Sequence, residues 1–125
     1  MTYFFTLAGE TPAKKNSRIT LKNGMTIPSK NYREWHRAAL EELALQTKPE
    51  SPIDSAVRIQ LRFIHGDLRR RDSDNGCSSV LDLLTDAGIL ADDNWQIVRQ
   101  IRVQNEYSKN KAKCEIAISD FSVGG

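Results

Sequence analysis

The run Arg69-Arg70-Arg71-Asp72-Ser73-Asp74-Asn75 sets two carboxylates two residues apart, directly behind three guanidinium groups. In extended backbone an i,i+2 spacing turns both aspartates to the same side. There they repel one another unless a cation lies between them. Hard divalent ions such as Mg2+ take carboxylate oxygens and keep several waters, so the pair suits such a cation. The plainer alternative is helix capping, with Ser73 or Asp74 as N-cap, Asp72 favoured by the helix dipole and the arginines solvated. Asp92-Asp93 is a second acidic pair. Adjacent residues of an extended segment face opposite sides, so one of the two is expected at the first site. A polar turn ahead of a strand is the alternative there. An EF-hand is excluded, because Gly76 comes one residue early when counted from Asp72, and Leu83 stands where a bidentate Glu is needed. No nucleophile elbow, P-loop or Cys/His zinc pattern occurs. His36 and His65 have no ligand-spaced partners and read as ordinary polar residues.

Charge points to the substrate. The net charge of the 125 residues is only +2, but its distribution is uneven. Residues 1–37 hold seven Lys or Arg against Glu10 and Glu34, whereas residues 76–98 hold Asp82, Asp86, Asp92 and Asp93 and no cation. A basic front end and an acidic middle fit a cationic surface for a polyanion beside a separate acidic site. Lys30, Arg33 and Arg37 fall close together around a helix of 3.6 residues per turn. They could meet a phosphate backbone together with Lys14, Lys15 and Arg18, or form a solvated face relieved by an Arg37–Glu41 pair. Cys77 and Cys114 make no disulfide framework. The first residues lack the cationic lead and apolar run of a signal peptide, and no segment approaches the roughly 18 apolar residues of a membrane span. A reduced cytoplasmic protein is expected.

The elements that must hold these groups follow from periodicity. Tyr3 to Leu7 reads as a strand, and Arg18–Lys22 and Met25–Pro28 flank Asn23-Gly24 as a two-residue hairpin. Ser29 offers an N-cap for a helix to about Gln46, with Tyr32, Trp35, Ala39 and Leu43 on one face. Val57, Ile59, Leu61 and Phe63 alternate with polar residues as a half-buried strand. A helix over about Asn75 to Ala87, with Cys77, Val80, Leu81 and Leu84 inward, is stopped by Gly88. Two more strands are expected near Ile97–Val103 and Cys114–Ile118. The order β, hairpin, α, β, α, β, β predicts an α+β fold, a mixed β-sheet with two packed helices in a single domain over residues 1–125.

These residues carry a resemblance. Arg71-Asp72-x-Asp74-Asn75, then Leu81, Leu84, Ala87-Gly88-Ile89, Asp92-Asp93 and Gln96-Ile97-Val98, resembles the signature of the RusA-like Holliday junction resolvase (crossover junction endodeoxyribonuclease) family. Looser likeness extends over nearly the whole chain, including Asn16 and Arg18 after the first strand and the Tyr32/Trp35 helix. The resemblance implies a homodimeric endonuclease of a bacterium, phage or prophage that cuts four-way DNA junctions with Mg2+, for which Mn2+ could substitute. It implies that Asp72, Asp74 and Asp93 are catalytic and metal-binding, with Asn75 and Asp92 flanking them. Lys14, Lys15, Arg18, Arg33, Arg37, Arg69, Arg70 and Arg71 are the cations expected to face DNA. One departure stands out: where the family has a lysine four residues after the second motif aspartate, this chain has Ser78. Another cation must then reach the phosphate. Alternatively, the chain is a weak or inactive homologue that binds junctions without cutting them.

Overall fold

The computed structural model describes residues 1–13 and 18–122, and of Arg18 only the backbone. Lys14, Lys15 and Asn16 therefore lie outside the described residues. The elements run β1 (Thr2–Ala8), β2 (Arg18–Thr20), β3 (Thr26–Pro28), α1 (Lys30–Ala44), β4 (Val57–His65), α2 (Cys77–Asp86), β5 (Val98–Tyr107) and β6 (Lys113–Asp120). Four strands form one sheet in the order β1-β6-β4-β5, and β2 pairs with β3 alone. The pairs β1–β6 and β4–β6 are antiparallel, while β4 and β5 are parallel. This is the expected α+β fold, with a mixed sheet and two helices.

Alternation along the strands builds the core. Phe5 and Leu7 of β1, Ile59, Leu61 and Phe63 of β4, and Cys114, Ile116 and Ile118 of β6 form one cluster with Ala39 and Leu43 of α1 and Val80, Leu83 and Leu84 of α2. The opposite face of the sheet carries Phe4, which is 73% exposed, with Arg62, Glu106 and Glu115. Arg62 bridges both of these glutamates. The outer edge of β1 is closed by side chains of α1. Gln46 accepts from the Thr6 N–H and donates to its carbonyl, both at 2.9 Å, and Glu42 accepts from the Ala8 N–H at 3.1 Å.

Ser29 caps α1 as expected, its Oγ accepting from the Tyr32 N–H at 3.2 Å. Tyr32, Ala39 and Leu43 are buried, with Trp35 packed against the core. The hairpin is corrected. Leu21 and Met25 close a three-residue loop through the Leu21 N–H and Met25 carbonyl, and Gly24 alone adopts a positive φ, 85°. A two-residue type I′ turn would need Asn23 there as well. The polar strand β5 continues past Val103 to Tyr107, because its ladder to β4 persists after its own hydrophobic pattern stops.

The second helix starts at Cys77 rather than Asn75, and its N-cap is Gly76, with no side-chain cap. The reason is packing. A Cβ at residue 76 would lie 2.8 Å from both Phe63 Cε1 and Thr11 Cγ2, so the chain enters α2 through the one residue that fits beneath the end of β4. Ser79, buried, donates to the Pro12 carbonyl and fastens the same turn from the other side. Gly76→Ala should therefore destabilise the protein by about 1–3 kcal/mol, the usual cost of overpacking. Urea unfolding that gives wild-type stability would contradict this account.

Candidate active site

Since β4 and β5 are parallel, the chain between them must cross back over the sheet, and α2 makes that crossing. Asp72 and Asp74 thus fall in the loop at the carboxyl end of β4, the end where open α/β sheets gather their ligands. Asp92 and Asp93 fall after α2, ahead of β5. Along the chain, the ten residues of α2 lie between the two acidic segments, and the charge of Asp82, midway along α2, is felt at Asp93. Among the described residues no group of three His, Cys, Asp or Glu side chains is arranged as a metal-binding cluster.

The backbone at Asp72 is not extended. Its carbonyl accepts from the Asn75 N–H at 3.1 Å, and the Asp74 carbonyl accepts from the Cys77 N–H at 3.0 Å, so residues 72–77 form consecutive turns. The same-side argument for an i,i+2 pair in extended chain does not apply here. Neither aspartate caps α2. Both side chains are exposed, and among the described residues neither carboxylate takes a hydrogen bond or an ion pair. Their neighbours differ sharply in this respect. Arg71, whose side chain is only 16% exposed, bonds Asp67 at 2.9 Å, Glu10 at 3.4 Å and the Arg69 carbonyl at 3.3 Å. The Arg71 bond, then the Arg69 backbone N–H, hold the Asp67 carboxyl below its usual range.

The loop is also tied to the strands. His65, the last residue of β4, has Nδ1 at 3.0 Å from both Glu10 oxygens and Nε2 at 2.8 Å from Asn105 Oδ1. Asn105, on β5, donates from Nδ2 to the Ser73 carbonyl at 2.9 Å. His65, Asp67, Arg71, Asp72, Asn105 and Tyr107 border one open cleft. The thiol of Cys77, at the start of α2, is pushed up by burial and then by the Asp74 charge.

At the other end of α2 the Asp92 carboxylate accepts from the Asp93 N–H at 2.6 Å, which holds Asp92 below its usual range. Asp93 is partly buried while Asp92 is exposed, so the two do differ in orientation. Burial first, then Asp92 and the charge of Asp82, raise Asp93. Asp82 also borders a cleft between the helices with Tyr32, Arg33, His36 and Asp86, where His36 Nε2 lies 2.9 Å from Asp86.

The expected cations are spread out. Arg37 pairs with Glu41 at 3.4 Å and Lys30 with Glu34 at 3.8 Å, both exposed. Arg69 lies 3.7 Å from Asp67, while Arg70 is exposed and forms no ion pair among the described residues. Ser78 is exposed on the first turn of α2. Sequence reasoning passed over Glu10, His65, Asp82 and Asn105. The first, second and fourth act across the fold, and no local spacing marks them.

The fold is a mixed sheet with two helices, and an exposed aspartate pair, unengaged among the described residues, lies at the carboxyl end of its parallel strand β4. Residues 9–119 match the family model for endodeoxyribonuclease RusA. The chain is 28% identical over 108 residues to crossover junction endodeoxyribonuclease RusA of Aquifex aeolicus (strain VF5), covering 86% of this chain and 83% of that protein. The chain belongs to the RusA endodeoxyribonuclease family, and it is an endodeoxyribonuclease.

The raised Asp93 carboxyl has a consequence for stability. The folded protein holds that proton more tightly than the unfolded chain does, so ionising Asp93 subtracts from stability above its titration and costs nothing below it. Asp93→Asn should raise Tm near neutral pH by about 1–2 °C, a small effect because water screens this group. The two melting curves should converge as pH falls below about 4. A variant that melts lower at neutral pH would refute this.

Proposed function

We propose that the chain resolves four-way (Holliday) DNA junctions by paired nicks, as a homodimer using a divalent cation, Mg2+ with Mn2+ as a substitute, in the cytoplasm of a bacterial or phage-infected cell. The observation behind this reading is the state of Asp72 and Asp74. Where Glu10 and Asp67 are both ion-paired with Arg71, these two carboxylates are left exposed and unengaged among the described residues. Mg2+ is commonly held by one or two carboxylates, with water and substrate phosphate completing its shell. Asp72 and Asp74 fit that demand, with Asn75 beside them, and Asp93, with Asp92 next to it, is the third carboxylate expected at the metal.

When bound there, the cation would supply charge neutralisation at the scissile phosphate. The chain's own residues supply the rest. Asp72, at the border of the cleft, and Asp74 would hold the cation. Arg70 is the cation best able to replace the family lysine at Ser78, since Arg69 and Arg71 are drawn to Asp67. Arg33 and Arg37 on α1, with Lys14, Lys15 and Arg18, would track the phosphate backbone. A hydrolytic cut of this kind leaves 5′-phosphate and 3′-hydroxyl ends that a ligase can reseal.

A four-way junction has near two-fold symmetry, and two matched nicks call for two matched sites. The free edge of β5 suits a second copy. It is ten residues long and contains no proline, glycine or lysine to blunt it. An antiparallel pairing about Gln104 would set Ile101 opposite Tyr107, 40% and 49% exposed respectively, and Arg102 opposite Glu106.

Cleavage of a synthetic four-way junction tests the site. Asp74→Asn should lose Mg2+-dependent nicking yet bind the junction as tightly as wild type or tighter, since a negative charge near the phosphate is gone. A variant that still nicks at the wild-type rate would remove Asp74 from the reaction. Sedimentation tests the dimer separately. Ile101→Lys should be monomeric at concentrations where the wild type is dimeric, and an unchanged dimer would move the interface away from β5.

A further inference from the structure

The turn that carries Asp72 and Asp74 is held at its centre by one hydrogen bond from outside the loop. That bond runs from Asn105 Nδ2 to the carbonyl of Ser73, the residue between the two aspartates. A backbone carbonyl can only accept, so Asn105 must turn its NH2 towards Ser73. Its Oδ1 is then left facing His65 Nε2 at 2.8 Å, and that nitrogen must donate. The other ring nitrogen, Nδ1, faces the two oxygens of Glu10, which are acceptors as well. Glu10 in turn is held by Arg71, the residue immediately before Asp72. The contacts close into a loop of bonds from Arg71 through Glu10, His65 and Asn105 to Ser73, returning to the chain two residues from where it left.

We infer that Asn105 and His65 are positioning residues of the nuclease site: they fix the Ser73 carbonyl, and with it the separation and aim of the Asp72 and Asp74 carboxylates. The inference rests on the reading of Asp72 and Asp74 as the metal-binding pair. Every donor in the relay faces an acceptor. His65 holds Asn105 in the orientation that presents NH2 to Ser73, because an inverted Asn105 amide would set its oxygen against the Ser73 carbonyl and its NH2 against a donating nitrogen. Asn105 is exposed and outside the hydrophobic core, so its substitution removes the tether while leaving core packing in place.

Asn105→Asp keeps the shape and removes the donor, and Asn105→Ala removes both. Single-turnover cleavage of a four-way junction should fall by on the order of 10–100-fold in each, the scale of rate lost when reacting groups shift by about 1 Å. Junction affinity measured in EDTA and the melting temperature should stay at wild-type values. Without DNA or metal, backbone amide exchange should quicken in the peptide spanning residues 66–76 and nowhere else. His65→Ala should give the same local exchange signature with a smaller loss of rate, since Asn105 is then present but unaimed. Asn105 variants that cut at the wild-type rate, or whose exchange is unchanged at 66–76, would overturn the inference. If Asp74→Asn is inactive in the same assay while Asn105→Asp is fully active, only the positioning role falls. An active Asp74→Asn would remove the site itself and the inference with it.

Discussion

Two parallel strands cannot be joined by a tight turn, and from Val57 to His65 β4 lies parallel to β5. Much else in the molecule answers to that pairing. It requires α2 as the return path, and α2 must pack its apolar stripe on the sheet, so Val80, Leu83 and Leu84 are fully buried. It also sends the two acidic segments to opposite ends of the helix. The βα loop after His65 receives the arginines and the Asp72/Asp74 turn, while the return into β5 receives Asp92 and Asp93. The family's spacing of these aspartates along the chain is therefore the length of one helix with its flanking turns.

The loop after β4 solves an electrostatic problem. Three consecutive arginines and several carboxylates are crowded into a few residues, and the arrangement sorts them by burial. Arg71 goes inward, where a guanidinium needs nearly full pairing, and receives Asp67, Glu10 and a backbone carbonyl. With those two acids engaged, the Arg71 guanidinium is paired on both sides. Asp72, Asp74 and Arg70 are left outward, where water bears the cost of their charge. An exposed pair of like charges is tolerable in solvent and ready for a cation. The same pair buried without one would not be.

Much of this was legible in the residues themselves. Ser29 announced α1, its stripe of Tyr32, Ala39 and Leu43 was correctly placed, alternation identified β4, and strands were expected where β1 and β6 lie. The aspartate motif stood out because its spacing is local. What lay hidden was tertiary. Gly76 fell inside the expected helix, and only Phe63 and Thr11 explain why nothing larger fits. Asn105 contacts Ser73 from 32 residues away and His65 from 40, distances at which no periodicity operates. His65 looked unremarkable because its side-chain partners, Glu10 and Asn105, come from two distant segments. The turn at Asp72 escaped prediction for a related reason: carboxylates spaced by two are compatible with extended chain and with a turn, and the hydrogen bonds that decide are backbone ones.

The side chains of Gln46 and Glu42 that close β1 also bear on stoichiometry. A sheet with both edges open can add chains without end, and such proteins polymerise as their concentration rises. Here Glu42 and Gln46 already engage backbone groups of Thr6 and Ala8, which disfavours growth at that half of the β1 edge. In the proposed dimer the β5 edge would be occupied as well, and such an assembly should stay in solution at concentrations where an open-edged sheet of the same length would form fibres.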